Sequence, residues 1–243
     1  MNVGPKICSA LTACLVVGVT IPVASAQDFS SSGGYVRDAS TLSVQRKAEE
    51  LFEREDFKRA HFIYLNELAP IGDKYAQYMI GFMTMTGLGV REDPILASAW
   101  YRLAAERDTA EFIAVRDDLI RRLDRADMER SNELYLRLRR EYSDIAVRMR
   151  EVREDFELLQ GGDGTTGSRT GMSSSPVIIV KGSDGSGVSM DAYYRRIRLR
   201  MQGHLDFIAK TLEIERVDAD LTEAEVDDLE TQVVSYVSRI DDR

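Results

Sequence analysis

Two helical patterns separated by a short glycine-containing turn constrain the fold of this chain more than any other feature. Apolar residues recur at helical spacing over about 73–86 and again over about 94–106, which predicts two amphipathic helices. Gly87 lies where the first helix needs a left-handed exit, and Asp93 can cap a second helix whose first position is Pro94. We therefore expect an antiparallel helix hairpin with a tight turn.

The side chains of this hairpin suit close packing between helices. Gly89 is expected to keep the connection short. Trp100 and Tyr101 are expected to fill the space between this hairpin and its neighbours. Small residues that let the two helices approach closely are Gly81, Ala97, Ala104 and Ala105.

The hairpin resembles a Sel1-like repeat, the longer relative of the tetratricopeptide repeat (TPR). The sequence departs from that pattern at Thr84, where an aromatic residue is common, and near Asp108, where no glycine closes the repeat. The resemblance implies a short α-solenoid that takes part in protein–protein recognition. The matching positions are Ala76, Tyr78, Gly81, Met83, Gly87, Gly89, Val90, Asp93, Ala97, Trp100, Tyr101, Ala104 and Ala105.

The same turn, "TGLGVRED", raises the alternative of a nucleotide-binding loop. A dinucleotide-binding loop has a third glycine and follows a strand. Here Glu92 occupies the third-glycine position, the preceding pattern is helical, and the Gly-Lys-Ser/Thr of a Walker loop is absent. We therefore predict no cofactor at this turn.

The flanking segments offer further helices, because units of this kind must stack to bury their apolar faces. Residues 109–134 resemble the polar helices that close such arrays. We expect an all-α fold with a Sel1/TPR-like repeat domain over residues 42–160. Upstream, a degenerate repeat with Asp56 near its turn would use Ala48, Leu51, Phe52, Phe57, Ala60, Ile63, Tyr64 and Leu68.

A second apolar stripe lies in the last helical pattern of this domain. Its spacings alternate between three and four residues, which is the period of a coiled-coil seam. One interpretation is packing within the chain, for example on the C-terminal helices; the other is homo-oligomerisation or binding of a partner helix. The seam over 142–159 consists of Tyr142, Ile145, Met149, Val152, Phe156 and Leu159.

Residues 161–190 are predicted to form a Gly/Ser-rich linker with a short extended segment at 176–182, where β-branched residues cluster. Three roles stay open for that segment: pairing with a partner's sheet edge, folding back as a lone strand, or disorder. Residues 191–243 are predicted to form a helical hairpin. Its first helix extends to about Arg216, and its second begins at a capping box of Thr222 and Glu225 and keeps its apolar period to Ile240.

The first 26 residues predict a secretory signal peptide. Lys6 precedes an apolar core that ends in "ASAQ", so cleavage is expected between Ala26 and Gln27. A lipid anchor at Cys14 is the weaker alternative, because the apolar core continues beyond that residue. Residues 27–41 are expected to be a flexible leader, and the mature protein is expected in the bacterial periplasm.

Cysteine content and charge exclude several classes of function. Both cysteines, Cys8 and Cys14, lie in the signal, so the mature chain has no thiol for a disulfide, a metal site or a nucleophile. The formal net charge of −9 becomes −10 without Lys6, which disfavours nucleic acid as a partner of the whole protein. We expect no integral membrane span in the mature chain.

Residue types and motifs that carry chemistry are scarce. His61 lies in the apolar run of the first repeat, and His204 is expected on a solvated helix face. The sequence has no H-E-x-x-H pattern and no G-x-S-x-G elbow, so we predict no catalytic, cofactor or metal site. Arginine clusters at 121–122, 137–140 and 195–200 are expected to form ion-paired helix surfaces.

Together these features favour a non-enzymatic periplasmic scaffold or adaptor that binds another envelope protein or peptide. The alternative is a structural envelope protein that self-associates through the seam at 142–159.

Overall fold

A computed structural model describes residues 39–161, 179–181 and 187–240 of the chain. Helices dominate this part of the chain, which confirms the all-α class. In chain order the elements are α1 (Ala39–Glu53), α2 (Phe57–Ile63), α3 (Lys74–Thr86), α4 (Pro94–Ala104), α5 (Ala110–Ile120), α6 (Arg125–Tyr142), α7 (Asp144–Gly161), β1 (Ile179–Lys181), β2 (Gly187–Ser189), α8 (Met190–Leu212) and α9 (Glu223–Val237).

The described residues group into two compact units. The first contains residues 39–69 and 73–131, and the second contains residues 70–72 together with those from 132 onward. The boundary falls within α6, whereas the sequence predicts a repeat domain that continues to residue 160. The difference arises because the apolar stripe of α7 is buried against helices of the C-terminal part.

The first unit is built from successive helix hairpins. α1 packs against α2, α3 packs extensively against α4, and α4 packs against α5. A π-helical turn (Tyr64–Leu68) extends α2. α1 begins at Ala39, inside the segment predicted to be a leader, and its buried side chains include Gln45, Ala48 and Leu51.

The core of the second unit joins α7, α8 and α9. Four residues of the predicted seam are buried in it, so packing within the chain, one of the two interpretations of the seam, is confirmed. The same four side chains are covered in the folded unit and are not exposed to a second copy. The core contains Ile145, Met149, Val152, Phe156, Met201, Leu205, Ile208, Val226, Leu229, Val233 and Val237.

The C-terminal hairpin follows the prediction at its start and departs from it at its ends. Thr222 and Glu225 form the expected capping box at the start of α9. α8 ends at Leu212 instead of near Arg216, because Glu213 adopts a left-handed conformation with φ 56°. α9 ends at Val237, so Ile240 lies beyond the helix and is partly exposed.

Residues 179–181 of the predicted extended segment pair inside the chain, and residues 176–178 and 182 lie outside the described residues. β1 and β2 are antiparallel, with Val180 opposite Val188, and α8 follows β2 directly. Residues 187–189 lie in the predicted Gly/Ser-rich linker, whose composition carries no signal for this strand partner. Within the described ranges, no helix is both long and apolar enough to cross a membrane.

Candidate interaction sites

The turn between α3 and α4 has the geometry that its sequence predicts. Gly87 ends α3 in a left-handed conformation with φ 72°, which glycine adopts without a Cβ penalty. The Asp93 side chain accepts hydrogen bonds from the backbone N–H groups of Ile95 and Leu96 at 3.1 and 2.9 Å. The turn also folds back on α3, because the Asp93 N–H donates to the Thr84 carbonyl at 2.9 Å.

Gly89 and Gly81 mark the two closest approaches around this hairpin. A Cβ at Gly89 would lie 2.5 Å from the carbonyl carbon of Phe57, at the start of α2, and φ at Gly89 is 74°. A Cβ at Gly81 would lie 2.9 Å from the ring of Tyr101 on α4. Gly89 therefore allows contact between consecutive hairpins, and Gly81 allows contact within one hairpin.

All but one of the other predicted repeat residues are buried in the first unit; the exception is Val90 in the turn, which is half-buried. Asp108 ends the short 3₁₀ turn after α4 in a left-handed conformation with φ 56°, so it adopts the conformation for which a closing glycine would be expected. The buried set is Ala76, Tyr78, Met83, Ala97, Trp100, Tyr101, Ala104 and Ala105.

The predicted cleavage site between Ala26 and Gln27 lies outside the described residues, as does Cys14. Export and processing therefore stay predictions.

A buried ion pair connects the two ends of the α3–α4 hairpin. Lys74, at the first position of α3, is 5% exposed. Its Nζ donates to Glu106 Oε2 at 2.7 Å and to Gln77 Oε1 at 3.1 Å. An ammonium group at a helix N-terminus opposes the helix dipole, and the Glu106 carboxylate offsets this effect. The pair has a structural role in closing the hairpin.

Buried tyrosines surround the start of α3. The rings of Tyr64 and Tyr75 meet edge to face at 6.4 Å. Burial raises the pKa of both hydroxyls, and the nearby Glu49 carboxylate raises them further. Burial also raises the pKa of Tyr78 to about 12. These hydroxyls are therefore neutral at physiological pH.

His204 corrects one sequence prediction. It was expected on a solvated face but is 8% exposed, between α7 and α8. Arg148 Nη1 lies 2.9 Å from His204 Nδ1, and Glu151 Oε2 lies 3.3 Å from Nε2. Because arginine can only donate, a hydrogen bond at this contact requires Nδ1 to accept, which assigns the proton of the neutral imidazole to Nε2. Burial, the largest influence, lowers the pKa of His204.

Arginines of the second unit form ion pairs on its surface; Arg200 belongs to a predicted cluster, whereas Arg153 lies outside the clusters. Arg200 donates to the buried carboxylate of Asp155 through two nitrogens, and this bonding raises the pKa of Arg200. Arg153 pairs with three exposed carboxylates of α9 at 2.6–2.7 Å. In the first unit, Arg121 and Arg122 pair with Asp118.

The two most exposed large apolar side chains of the described residues, together with a surface cavity, are candidate binding features. Phe62 on α2 is 60% exposed, and Leu199 on α8 is 69% exposed. The cavity belongs to the second unit and has a volume of about 280 Å³. Its lining includes Phe156, Leu159, Tyr194, Arg198, Asp220 and Leu221.

Sequence reasoning missed the Lys74–Glu106 pair, the burial of His204 and the cavity. A signal for His204 existed: Ile197, Met201, His204 and Ile208 follow the four-three-four spacing of an apolar helix stripe. The ion pair joins residues 32 positions apart, and the cavity joins three segments. Helical periodicity carries no signal for contacts of that kind.

The part of the chain that the structure describes contains no group of three or more histidine, cysteine, aspartate or glutamate residues placed to hold a metal ion. No protein-family model, curated protein or solved structure matches the chain. Membership of the Sel1-like repeat family therefore stays a prediction from the residues of the hairpin.

Proposed function

We propose that this protein is a non-enzymatic, exported scaffold that binds another envelope protein through a short array of Sel1-like helix hairpins. The observation that carries the proposal is the direct succession of the α1–α2 and α3–α4 hairpins, which approach each other at Gly89 and Phe57. Stacked hairpins bury a shared core and present an extended surface, which is the architecture that repeat proteins use for recognition.

Phe62 is the proposed recognition anchor on this array. Its ring is 60% exposed on α2, although burial of an aromatic side chain is more favourable than its exposure to water. Exposed polar residues surround it in the sequence, including Arg59, which pairs with Asp56, and Asn66, which donates to the Phe62 carbonyl at 2.9 Å. An aromatic residue within a polar rim is the typical composition of a protein-binding site.

The second candidate, self-association through the seam at 142–159, has no supporting observation. Ile145, Met149, Val152 and Phe156 serve as core residues of the second unit. Exposing them to a second copy would require that unit to open.

Capture of envelope proteins by mild crosslinking tests the scaffold proposal. The wild type is expected to capture a defined partner, and Phe62→Ser is expected to lose it with an unchanged melting temperature, because the ring is exposed. Arg125→Ser is the control, since the Arg125 side chain is 95% exposed and pairs with the exposed carboxylate of Glu129. Equal capture by all three proteins would reject Phe62 as the anchor, and no capture by the wild type would count against the scaffold.

Export is tested by the mature N-terminus. N-terminal sequencing of the protein from the envelope fraction is expected to give Gln27 as the first residue. A lipid-modified N-terminus at Cys14 would instead establish the anchored alternative. A chain that begins at Met1 in the cytoplasm would contradict export.

A further inference from the structure

The surface cavity of the second unit has a mixed lining, in which apolar side chains stand beside two charged groups of opposite sign. Phe156 and Leu159 come from α7, Tyr194 and Arg198 from α8, and Leu221 from the loop before α9. The remaining charged group is Asp220, in the same loop. At about 280 Å³, the cavity is slightly smaller than the usual range for small-ligand sites, about 300–1,000 Å³, and suits a single amino-acid residue.

Both charged residues are exposed. Among the described residues, neither Arg198 nor Asp220 makes an ion pair or a side-chain hydrogen bond, and they do not pair with each other. This differs from the neighbouring Arg200, whose guanidinium is bound to Asp155. A ligand that satisfies the cavity therefore offers a carboxylate to Arg198, an N–H donor to Asp220 and an apolar group to the walls.

We propose that this cavity binds the carboxyl-terminal residue of a partner polypeptide, with an apolar side chain at that residue. Its terminal carboxylate pairs with Arg198, its side chain contacts Phe156, Leu159 and Leu221, and a backbone N–H of the peptide donates to Asp220. Capture of a free carboxyl terminus is an established mode of peptide recognition. The inference rests on the proposed scaffold function only in taking the ligand to be a polypeptide. Phe62 does not line the cavity.

Nuclear magnetic resonance titration of the ¹⁵N-labelled mature chain tests this site. The probes are N-acetyl-L-phenylalanine, its carboxamide, N-acetyl-L-alanine, and a hexapeptide that ends in phenylalanine with a free carboxylate. We expect saturable shifts at backbone amides of 194–198 and 219–221 with the first probe. The carboxamide and the alanine derivative are expected to bind about tenfold more weakly, because one loses a charge-assisted bond and the other loses apolar contact.

Matched arginine variants separate the site from general electrostatic attraction. Arg198→Gln is expected to weaken binding of N-acetyl-L-phenylalanine about tenfold. Arg196→Gln, which removes an exposed arginine of the same helix that does not line the cavity, is expected to leave binding unchanged. Equal affinity for the acid and the carboxamide, equal effects of the two variants, or no saturable shift would overturn the proposal.

The hexapeptide decides between a polypeptide and a small acid as the ligand. It is expected to bind at least as tightly as N-acetyl-L-phenylalanine; weaker binding would assign the cavity to small apolar acids and overturn the polypeptide inference. The outcome is independent of capture through Phe62. Peptide binding without envelope capture would reject the scaffold alone, and capture without peptide binding would reject the cavity alone.

Discussion

Substitution of Gly89 by alanine tests whether consecutive hairpins of the first unit are in direct contact. The new Cβ would lie 2.5 and 2.6 Å from the carbonyl carbon and oxygen of Phe57. These are backbone atoms, so no side-chain rotation relieves the collision. The residue would also keep φ at 74°, a conformation that costs a non-glycine residue about 1–2 kcal/mol.

Gly87→Ala provides the matched comparison. Gly87 has nearly the same φ, 72°, but the nearest atom to its new Cβ would be Glu92 Cβ at 3.5 Å. Both variants gain about 0.4–1 kcal/mol from a less flexible unfolded chain, and this gain cancels in the comparison. Overpacking at Gly89 adds about 1–3 kcal/mol. We therefore expect losses in the free energy of unfolding of about 1 kcal/mol for Gly87→Ala and about 2–4 kcal/mol for Gly89→Ala.

Urea unfolding followed by tryptophan fluorescence measures this difference. Trp100 is the only tryptophan in the chain and is 3% exposed in the first unit, so its emission reports on that unit. Gly203→Ala is a control of opposite sign: Gly203 lies in α8, and its new Cβ would meet nothing within 4 Å. Circular dichroism is expected to show a gain of about 0.5–1 kcal/mol for that variant. Equal losses for Gly87→Ala and Gly89→Ala would refute the contact between hairpins.

Substitutions at four further positions test local features. The pKa of His204 is lowered in the folded state, so the unfolded state binds more protons and the wild type loses stability as pH drops through about 6.5. His204→Gln should therefore reduce the decrease in melting temperature between pH 7 and pH 5. The same decrease in the variant and the wild type would contradict this. Asp93→Ala should lower the free energy of unfolding in urea by about 1 kcal/mol, because the N-cap is lost. Asp93→Asn should keep most of the stability that the cap provides. Met149→Ala should cost about 2–5 kcal/mol without changing the mass measured by light scattering, whereas a change in oligomeric state would revive the seam as an interface. Asp108→Gly should raise the free energy of unfolding by about 1 kcal/mol, because glycine adopts a left-handed conformation without a steric cost. A lower melting temperature of the variant would count against that conformation at residue 108.

Local signals in the sequence predicted the α3–α4 hairpin closely. Asp93 and Pro94 specify the start of a helix, and Gly87 specifies an exit, through the conformations of single residues and their nearest neighbours. The capping box of Thr222 and Glu225 was predictable for the same reason. Two hydrogen bonds from Thr222 lower the pKa of Glu225, so the charged form is the one that the cap favours.

The unit boundary and the polar sites were not predictable in this way. The stripe that includes Met149 and Val152 shows that α7 needs an apolar partner, but its spacing does not identify that partner. α8 follows α7 only after residues 162–189, so the pairing depends on packing over a long sequence separation. The cavity depends on the positions of Arg198 and Asp220, which lie on different segments and share no periodic pattern.

Site-specific photocrosslinking in the native cell is the most direct test of the scaffold claim. A photoreactive amino acid replaces Phe62 in one strain and Arg125 in another, and adducts are identified by mass spectrometry. The account predicts a discrete adduct with another envelope protein from position 62 and a much weaker one from position 125. Absence of an adduct at position 62, or the same adducts at both positions, would contradict recognition through the helix-hairpin array.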